Sequence, residues 1–344
     1  MLNRLRRFYV IWSRFEYWPW WFFYIPLIPF YVFFAIRTRS LVYFTAVNPG
    51  IEYGGFFGEH KDRILSKIPQ EYKPWSIFFS KYKSETWEVE VRKIAESEYP
   101  MIFKPNVGER GDEVRLIATQ LELIQHLNTV DFDFILQEYI DYQIELGLLY
   151  QRSLSSEKGK IESITLKKFL NVEGDGLSTV GELMKKSNRS FLQIPRFREE
   201  KAELLSRIPA LGEEILLEEI GNHCLGTEFV DANENISDAL CIVFDKISRS
   251  FEGFHYGRYD LRVPNWEDLK QGRNIKIFEL NGVSSEAGHI FDQRHGVLYA
   301  YKEVLRLWNI LAHIASENHK AGAAYASPKE LLKVSRKHFF GEKR

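Results

Sequence analysis

The stretches Gly257–Val263, GRYDLRV, and Ile275–Gly282, IKIFELNG, decide how this chain is read. GRYDLRV alternates apolar and polar side chains with a period of two, the pattern of a half-buried strand, and IKIFELNG is read as a second strand. Residues two apart on a strand face the same way, so Arg258 and Asp260 share one face, and so do Glu279 and Asn281. The link between them, PNWEDLKQGRN, is rich in turn residues. If the two strands pair through it, the oxygens of Asp260, Glu279 and Asn281 converge on one small volume. Such a group suits a hard cation such as Mg2+, and Arg258 adds a charge that does not titrate and suits a transferring phosphoryl group. The plainer alternative is a solvated strand face with surface ion pairs worth about 0 to 1 kcal/mol.

Upstream, YPMIFKP (Tyr99–Pro105) ends an apolar run on Lys104, and Gly108 and Gly111 follow in a loop. A lysine at the end of a buried strand is desolvated unless an anion meets it, and glycines let backbone N–H groups approach phosphate oxygens. A snorkelling lysine beside an ordinary hairpin fits the same residues. In LQEYIDYQIELG (Leu136–Gly147) a strand, a short crossing and a second strand place Glu145 to accept from ribose hydroxyls. The backbone near Glu138, Tyr139 and Ile140 is placed to meet an adenine edge. Either Lys167 or Lys168 offers a second phosphate contact. Adjacent strand residues point to opposite faces, so only one of the two can serve.

Elsewhere the pattern predicts a strand at LVYFTAV (Leu41–Val47), helices over 59–67 and 85–96, and strands over 101–104, 114–117, 135–139, 145–150 and 163–169. Further strands are predicted over 215–218, 227–231, 257–263 and 275–281, with helices over 236–251 and 297–317. Thr179 and Glu182 form a capping box that starts a helix. Strands and helices without regular βαβ alternation predict α+β lobes with antiparallel sheets.

Residues Tyr17 to Ile36 read YWPWWFFYIPLIPFYVFFAI, twenty residues without a charge, about the length that crosses a bilayer as a helix. Arg4, Arg6, Arg7, Arg14, Arg37 and Arg39 flank it against Glu16 alone. A membrane segment is expected, set against a buried core helix or a cleaved signal peptide. It is either a spanning helix or, because of Pro19, Pro26 and Pro29, a re-entrant hairpin, the form favoured here. An interfacial helix over 2–15 precedes it, with Trp18, Trp20 and Trp21 at headgroup level.

The order of these parts resembles the ATP-grasp superfamily, specifically its carboxylate-amine ligases such as D-alanine:D-alanine ligase, over roughly Glu59 to His319. YPMIFKP and its glycine loop are similar to the nucleotide lysine strand and phosphate-covering loop, LQEYIDYQIELG to the hinge, VEGDGLSTVGEL to a loop and helix start of peptide-forming ligases, and RYDL with FELNG to the metal strands. The resemblance implies two α+β lobes clasping ATP and an ADP-forming ligase working through an acyl phosphate. ATP would meet Lys61, Lys104, Gly108, Gly111, Glu138, Tyr139, Ile140, Glu145 and Lys168. It would place Mg2+, as two ions, on Asp260, Glu279 and Asn281, with Arg258 and Lys104 in the catalytic role. The usual N-terminal substrate domain is reduced to residues 41–60, and Gly282-Val283-Ser284 stands where such ligases often continue Pro-Gly, which sets the substrate apart from D-alanine.

The expected organisation is a membrane segment at 1–40, a vestigial substrate region at 41–60, a small lobe at 61–140, a large lobe with the metal site at 141–325, and a C-terminal helix at 326–344. With 46 Lys and Arg against 47 Asp and Glu, net charge −1, nothing points to a nucleic-acid partner. The two cysteines, without CxxC spacing, suit a reducing compartment. The expected setting is the cytoplasmic face of the cell membrane, anchored by residues 17–36, with small-molecule or lipid-linked carboxylate and amine substrates. An ATP-grasp small-molecule kinase and a non-catalytic nucleotide-binding membrane module are the alternatives.

Overall fold

The computed structural model describes residues 2–81, 99–108 and 113–340; the helix expected over 85–96 and Gly111 lie outside the described residues. The strands are β1 (Ser76–Phe79), β2 (Met101–Pro105), β3 (Arg115–Ile117), β4 (Phe134–Glu138), β5 (Ile144–Gln151), β6 (Lys160–Lys168), β7 (Asn171–Glu173), β8 (Glu214–Leu216), β9 (Glu228–Asp231), β10 (Tyr256–Val263) and β11 (Lys276–Asn281). They form a four-stranded sheet in the order β1-β4-β2-β3, a five-stranded sheet in the order β11-β10-β5-β6-β9 and a β7-β8 ribbon. Every pairing is antiparallel, and the fold is α+β.

Each large sheet has its own core. Met101, Phe103, Phe134 and Leu136 pack with Leu123 and Leu127 of the helix Gln120–Leu127. On the five-stranded sheet, Leu146, Leu148, Tyr259 and Leu261 share one face and bury against Leu240, Phe244 and Ile247. Those three lie at i, i+4 and i+7 of the helix Asp238–Arg249, whose first turn is capped by the Ser237 hydroxyl accepting from the Leu240 amide. The opposite face is divided. Leu149 and Tyr256, at one end, share a core with Leu307, Leu311 and Ile314 of the 24-residue helix Val297–Lys320. The other end carries charged side chains and turns towards the four-stranded sheet.

The strand expected at 41–47 is instead a 3-10 turn, Tyr43–Ala46. Four residues, Tyr43–Ala46, are too few to show a period that separates a strand from a tight helix. Here tertiary contacts decide: Tyr43 and Val47 join the core of Val297–Lys320, and the Asn318 amide donates to the carbonyls of Ala46 and Val47 at 3.0 and 2.9 Å. Strands β1 and β7 were not expected; β1 shows no burial alternation and is defined only by its pairing with β4.

Near the N-terminus, the helix Leu2–Ser13 precedes a helical stretch from Trp20 to Thr38 with mean hydropathy 1.4, long and apolar enough to cross a membrane by length and composition. Pro26 and Pro29 fall at the first positions of their turns, where a missing N–H costs no bond. The backbone stays right-handed helical at Ile25, Leu27 and Ile28, so the chain does not double back and the expected hairpin is not formed. The stretch ends at Arg39 in the left-handed region, φ 57°. One side of it is built into the body: Phe23 and Leu27 share a core with Ile290, Ala300 and Val304.

Candidate active site

Strands β10 and β11 pair as neighbours, with Asp260 opposite Glu279 and Arg258 opposite Asn281. The register slips by one residue after Asp260, leaving Phe278 as an extra residue on β11. Its carbonyl accepts from the Lys104 ammonium at 2.9 Å, and its ring lies 5.8 Å from the Lys167 ammonium. A lysine of the four-stranded sheet is thereby joined to β11 of the five-stranded one.

Asp260 is 2% exposed and stands at the centre of the charged end. The Arg258 guanidinium forks onto it, Nε to Oδ1 at 3.2 Å and Nη2 to Oδ2 at 3.1 Å. Asn281 donates to Oδ2 at 3.0 Å, and the Lys167 ammonium lies 3.1 Å from Oδ1. Lys167 also donates to Glu145 Oε1 at 3.2 Å, while Arg262 donates to Glu145 Oε2 at 2.9 Å. Burial works against the Asp260 carboxylate, yet Arg258 and Lys167 outweigh it and hold its pKa below the ordinary value. Burial likewise opposes the charge on Lys167, and Asp260 and Glu145 outweigh it and raise its pKa. The group is charged and internally paired, which excludes the solvated surface alternative.

Space for this pairing comes from Gly147, opposite Asp260 on β5. A Cβ there would stand 3.2 Å from Arg258 Cδ and 3.4 Å from Asp260 Oδ1, so the bare backbone lets the guanidinium lie flat across the strand.

Lys104, 5% exposed, donates to Gln137 Oε1 at 2.9 Å as well as to the Phe278 carbonyl. Burial brings its pKa down to about 8, with Glu279 and Asp260 pulling the other way and Lys61 adding to the fall. Lys61 starts the helix Lys61–Lys67 and donates from Nζ to the Gly108 carbonyl at 2.5 Å, bridging to the loop after β2. In the crossing from β4 to β5, Glu138 Oε2 accepts from the Trp75 amide at 3.1 Å. The Ile140 carbonyl takes Arg262 Nη1 at 2.6 Å, and the Tyr139 ring lies 5.6 Å from the Arg262 guanidinium.

Lys104, Asp260, Glu279, Asn281 and Arg258 are thus brought together, and Lys61, Gly108, Glu145 and Ile140 lie at the rim through these bonds. Lys168 is not brought in: it is exposed on the far side of β6, and Lys167 points inward in its place. Parity on a strand permitted only one of the two, and register with β5, Lys167 opposite Glu145, made the choice. Glu145 is itself 4% exposed with both oxygens engaged by cations. Sequence reasoning missed Gly147, Gln137 and the Phe278 bulge; the isolated glycine within a strand pattern was the available signal for the first.

Among the described residues no group of three or more His, Cys, Asp or Glu gathers as a metal cluster. The donor set still fits Mg2+. The Glu279 side chain makes no hydrogen bond among the described residues and the Asn281 amide, its nitrogen on Asp260, leaves its oxygen open, so these two supply the donors; both Asp260 oxygens already accept from Arg258, Lys167 and Asn281, and Asp260 enters a metal shell only by giving up one of those bonds. Magnesium takes one or two protein carboxylates and completes its shell with water and phosphate oxygens.

Residues 282–286 bound the other end of the group. The Glu286 carbonyl accepts from Arg258 Nη1 at 3.3 Å, and its carboxylate accepts from the Tyr24 hydroxyl of the apolar N-terminal stretch. The loop 46–55 packs against the same turn, with the Gly54 and Gly55 carbonyls accepting from the Val283 and Ser284 amides. His255, by contrast, is bonded to the Arg152 carbonyl at the far end of β10. A separate cavity of about 330 Å³ lies between residues 13–18 and 291–297, away from these groups.

No family model and no curated protein matches the sequence. Solved structures that match include a bifunctional glutathione synthetase from Pasteurella multocida, at 15% identity and TM-score 0.35 over 74% of this chain and 38% of that one. Two others are D-alanine–D-alanine ligases. That from Bacillus anthracis has 12% identity and TM-score 0.45 over 82% of this chain and 72% of that one. That from Coxiella burnetii has 10% identity and TM-score 0.42 over 80% and 61%. The chain spans well under half the length of the first of these. At such identities and scores the likeness adds no weight to the geometry.

Proposed function

We propose that this chain is an enzyme of the ATP-grasp type, with residues 61–140 and 141–325 as the lobes that clasp a nucleotide. Within that class we assign it the ADP-forming joining of a carboxylate to an amine. The observation that carries this is the meeting of Lys104 from one sheet with Asp260, Glu279, Asn281 and Arg258 on the other.

Lys104 and Lys61 hold the nucleotide phosphates, and the backbone of 138–140 meets the base. Asp260, Glu279 and Asn281 are the residues that would hold Mg2+, which when bound offsets phosphate charge. Arg258 steadies the γ-phosphoryl group as it leaves ADP and joins a substrate carboxylate oxygen. An amine then attacks the acyl carbon; the C–N bond forms, phosphate departs and the amine loses its proton. Positioning and fixed charge supply the catalysis, and no side-chain nucleophile is required.

Attachment at the cytoplasmic face of a membrane through residues 17–36, and a lipid-linked or envelope carboxylate, complete the reading. Support comes from the exposed apolar side of Trp20–Thr38 and from Tyr24, which bonds Glu286 beside Arg258. The test is ADP release by the full chain in lipid vesicles, screened against pooled amino acids, peptides, sugar acids and lipid-linked acids. ADP with free phosphate and an amide product supports the ligase. ADP with a phosphorylated product would make it a kinase, and nucleotide binding without stimulated turnover in any pool would reject catalysis.

A further inference from the structure

We propose that residues 2–41 form a docking surface that lies flat on one leaflet of an anionic bilayer, on the same side as the catalytic body, and do not cross it. This deepens the membrane attachment proposed above and rests on it.

Three observations carry the inference. First, the segment is fastened to one body along its whole length. Arg6 donates to the Lys185 carbonyl at 2.9 Å, Glu16 pairs with the buried Arg189 at 2.5 Å, and Arg37 donates to Asn309 at 2.6 Å. Tyr24 bonds Glu286 between them. A helix of 19 residues is about 28 Å long. Standing it upright across a bilayer would break the bonds at one end and strip Phe23, Leu27 and Phe34 from their cores.

Second, the side facing away from the body is a continuous apolar stripe. Trp21, Ile25, Ile28, Val32 and Ile36 follow one another at helical spacing and are 43 to 72% exposed, opposite the buried Phe23, Leu27 and Phe34. On the helix Leu2–Ser13 the same holds at i, i+3, i+4 and i+7, where Leu5, Phe8, Tyr9 and Trp12 are exposed.

Third, the exposed charge of the segment has one sign. Arg4, Arg7, Arg14, Arg37 and Arg39 are exposed, whereas Glu16, its single acid, is buried under Arg189. An apolar stripe rimmed by arginines matches acyl chains below anionic headgroups, where a second copy of this chain would set arginine against arginine.

The test uses the full chain with Cys224→Ser and Cys241→Ser, and Asn3→Cys as the single thiol. It is mixed with preformed vesicles of phosphatidylcholine with or without phosphatidylglycerol. Flotation with the anionic vesicles, at least about tenfold weaker without phosphatidylglycerol or at high salt, is expected. An impermeant maleimide added outside should label Asn3→Cys fully while the body is also outside. Labelling only after the vesicles are opened would overturn the flat arrangement but leave membrane attachment standing. Failure to float with either vesicle, with self-association instead, would overturn attachment itself. A Trp21→Ser, Ile28→Ser, Ile36→Ser variant should lose flotation and keep the nucleotide affinity of the parent chain; unchanged flotation would also overturn the proposal.

Discussion

Lys104 gives the sharpest test of the nucleotide reading. Burial brings its pKa from the ordinary 10.5 to about 8, a fall worth roughly 3 kcal/mol against the charged form. Without nucleotide the unfolded chain binds more protons than the folded one between pH 8 and 10.5, so stability should rise as the pH climbs through that window. A phosphate oxygen beside the ammonium reverses the balance, because a close opposite charge favours the protonated form. Binding should therefore take up a proton wherever Lys104 starts neutral, and affinity should fall as the pH passes 8. If the bound lysine regains its ordinary pKa, affinity at pH 9.5 is about twentyfold lower than at pH 7.5. Isothermal titration with ATP and Mg2+ at constant ionic strength, in buffers of different ionisation enthalpy, reads both affinity and proton uptake. The guanidinium of Lys104→Arg does not titrate in this range, and its profile should be flat. A wild-type profile as flat as that one, without proton uptake, refutes the placing of phosphate at Lys104.

Asp260→Asn leaves Lys167 and Arg258 buried without their shared carboxylate, and chemical denaturation should show a loss of about 3 to 5 kcal/mol together with lost turnover; parental stability would mean that water already screens the group. Lys167→Met should abolish turnover while Lys168→Met leaves it unchanged, and the reverse ranking would restore the sequence-based assignment. Gly147→Val drives a side chain into Arg258, with an expected cost of about 1 to 3 kcal/mol in stability and a fall in kcat of about a hundredfold. Steady-state kinetics on the folded variant checks this, and an unaltered kcat would free Arg258 of its role.

Much of the candidate site was legible because it is local. Strand period alone put Arg258 with Asp260 and Glu279 with Asn281, and the turn-rich link made their pairing the simplest topology. The pairing between Lys167 and Glu145 was not legible, since it depends on register between β6 and β5 and on a bulge near Leu149 and Tyr150. The Phe278 bulge arises in the same way, and it aims a main-chain carbonyl at Lys104 that no side-chain pattern encodes. At 41–47 the sequence was read as a strand, and the packing of Tyr43 and Val47 against Val297–Lys320 made it a 3-10 turn, a choice that so few residues leave open.

By itself the sequence determined which residues share a strand face, where turns interrupt the chain, and that an apolar, arginine-flanked stretch lies near Met1. These follow from backbone geometry over a few residues. Only the tertiary structure decided which of two lysines enters the site, that a glycine makes room for the arginine, and that the apolar helix is fastened along the body. Those outcomes depend on contacts between segments far apart in the chain, where register and available surface, and not local preference, set the lowest free energy.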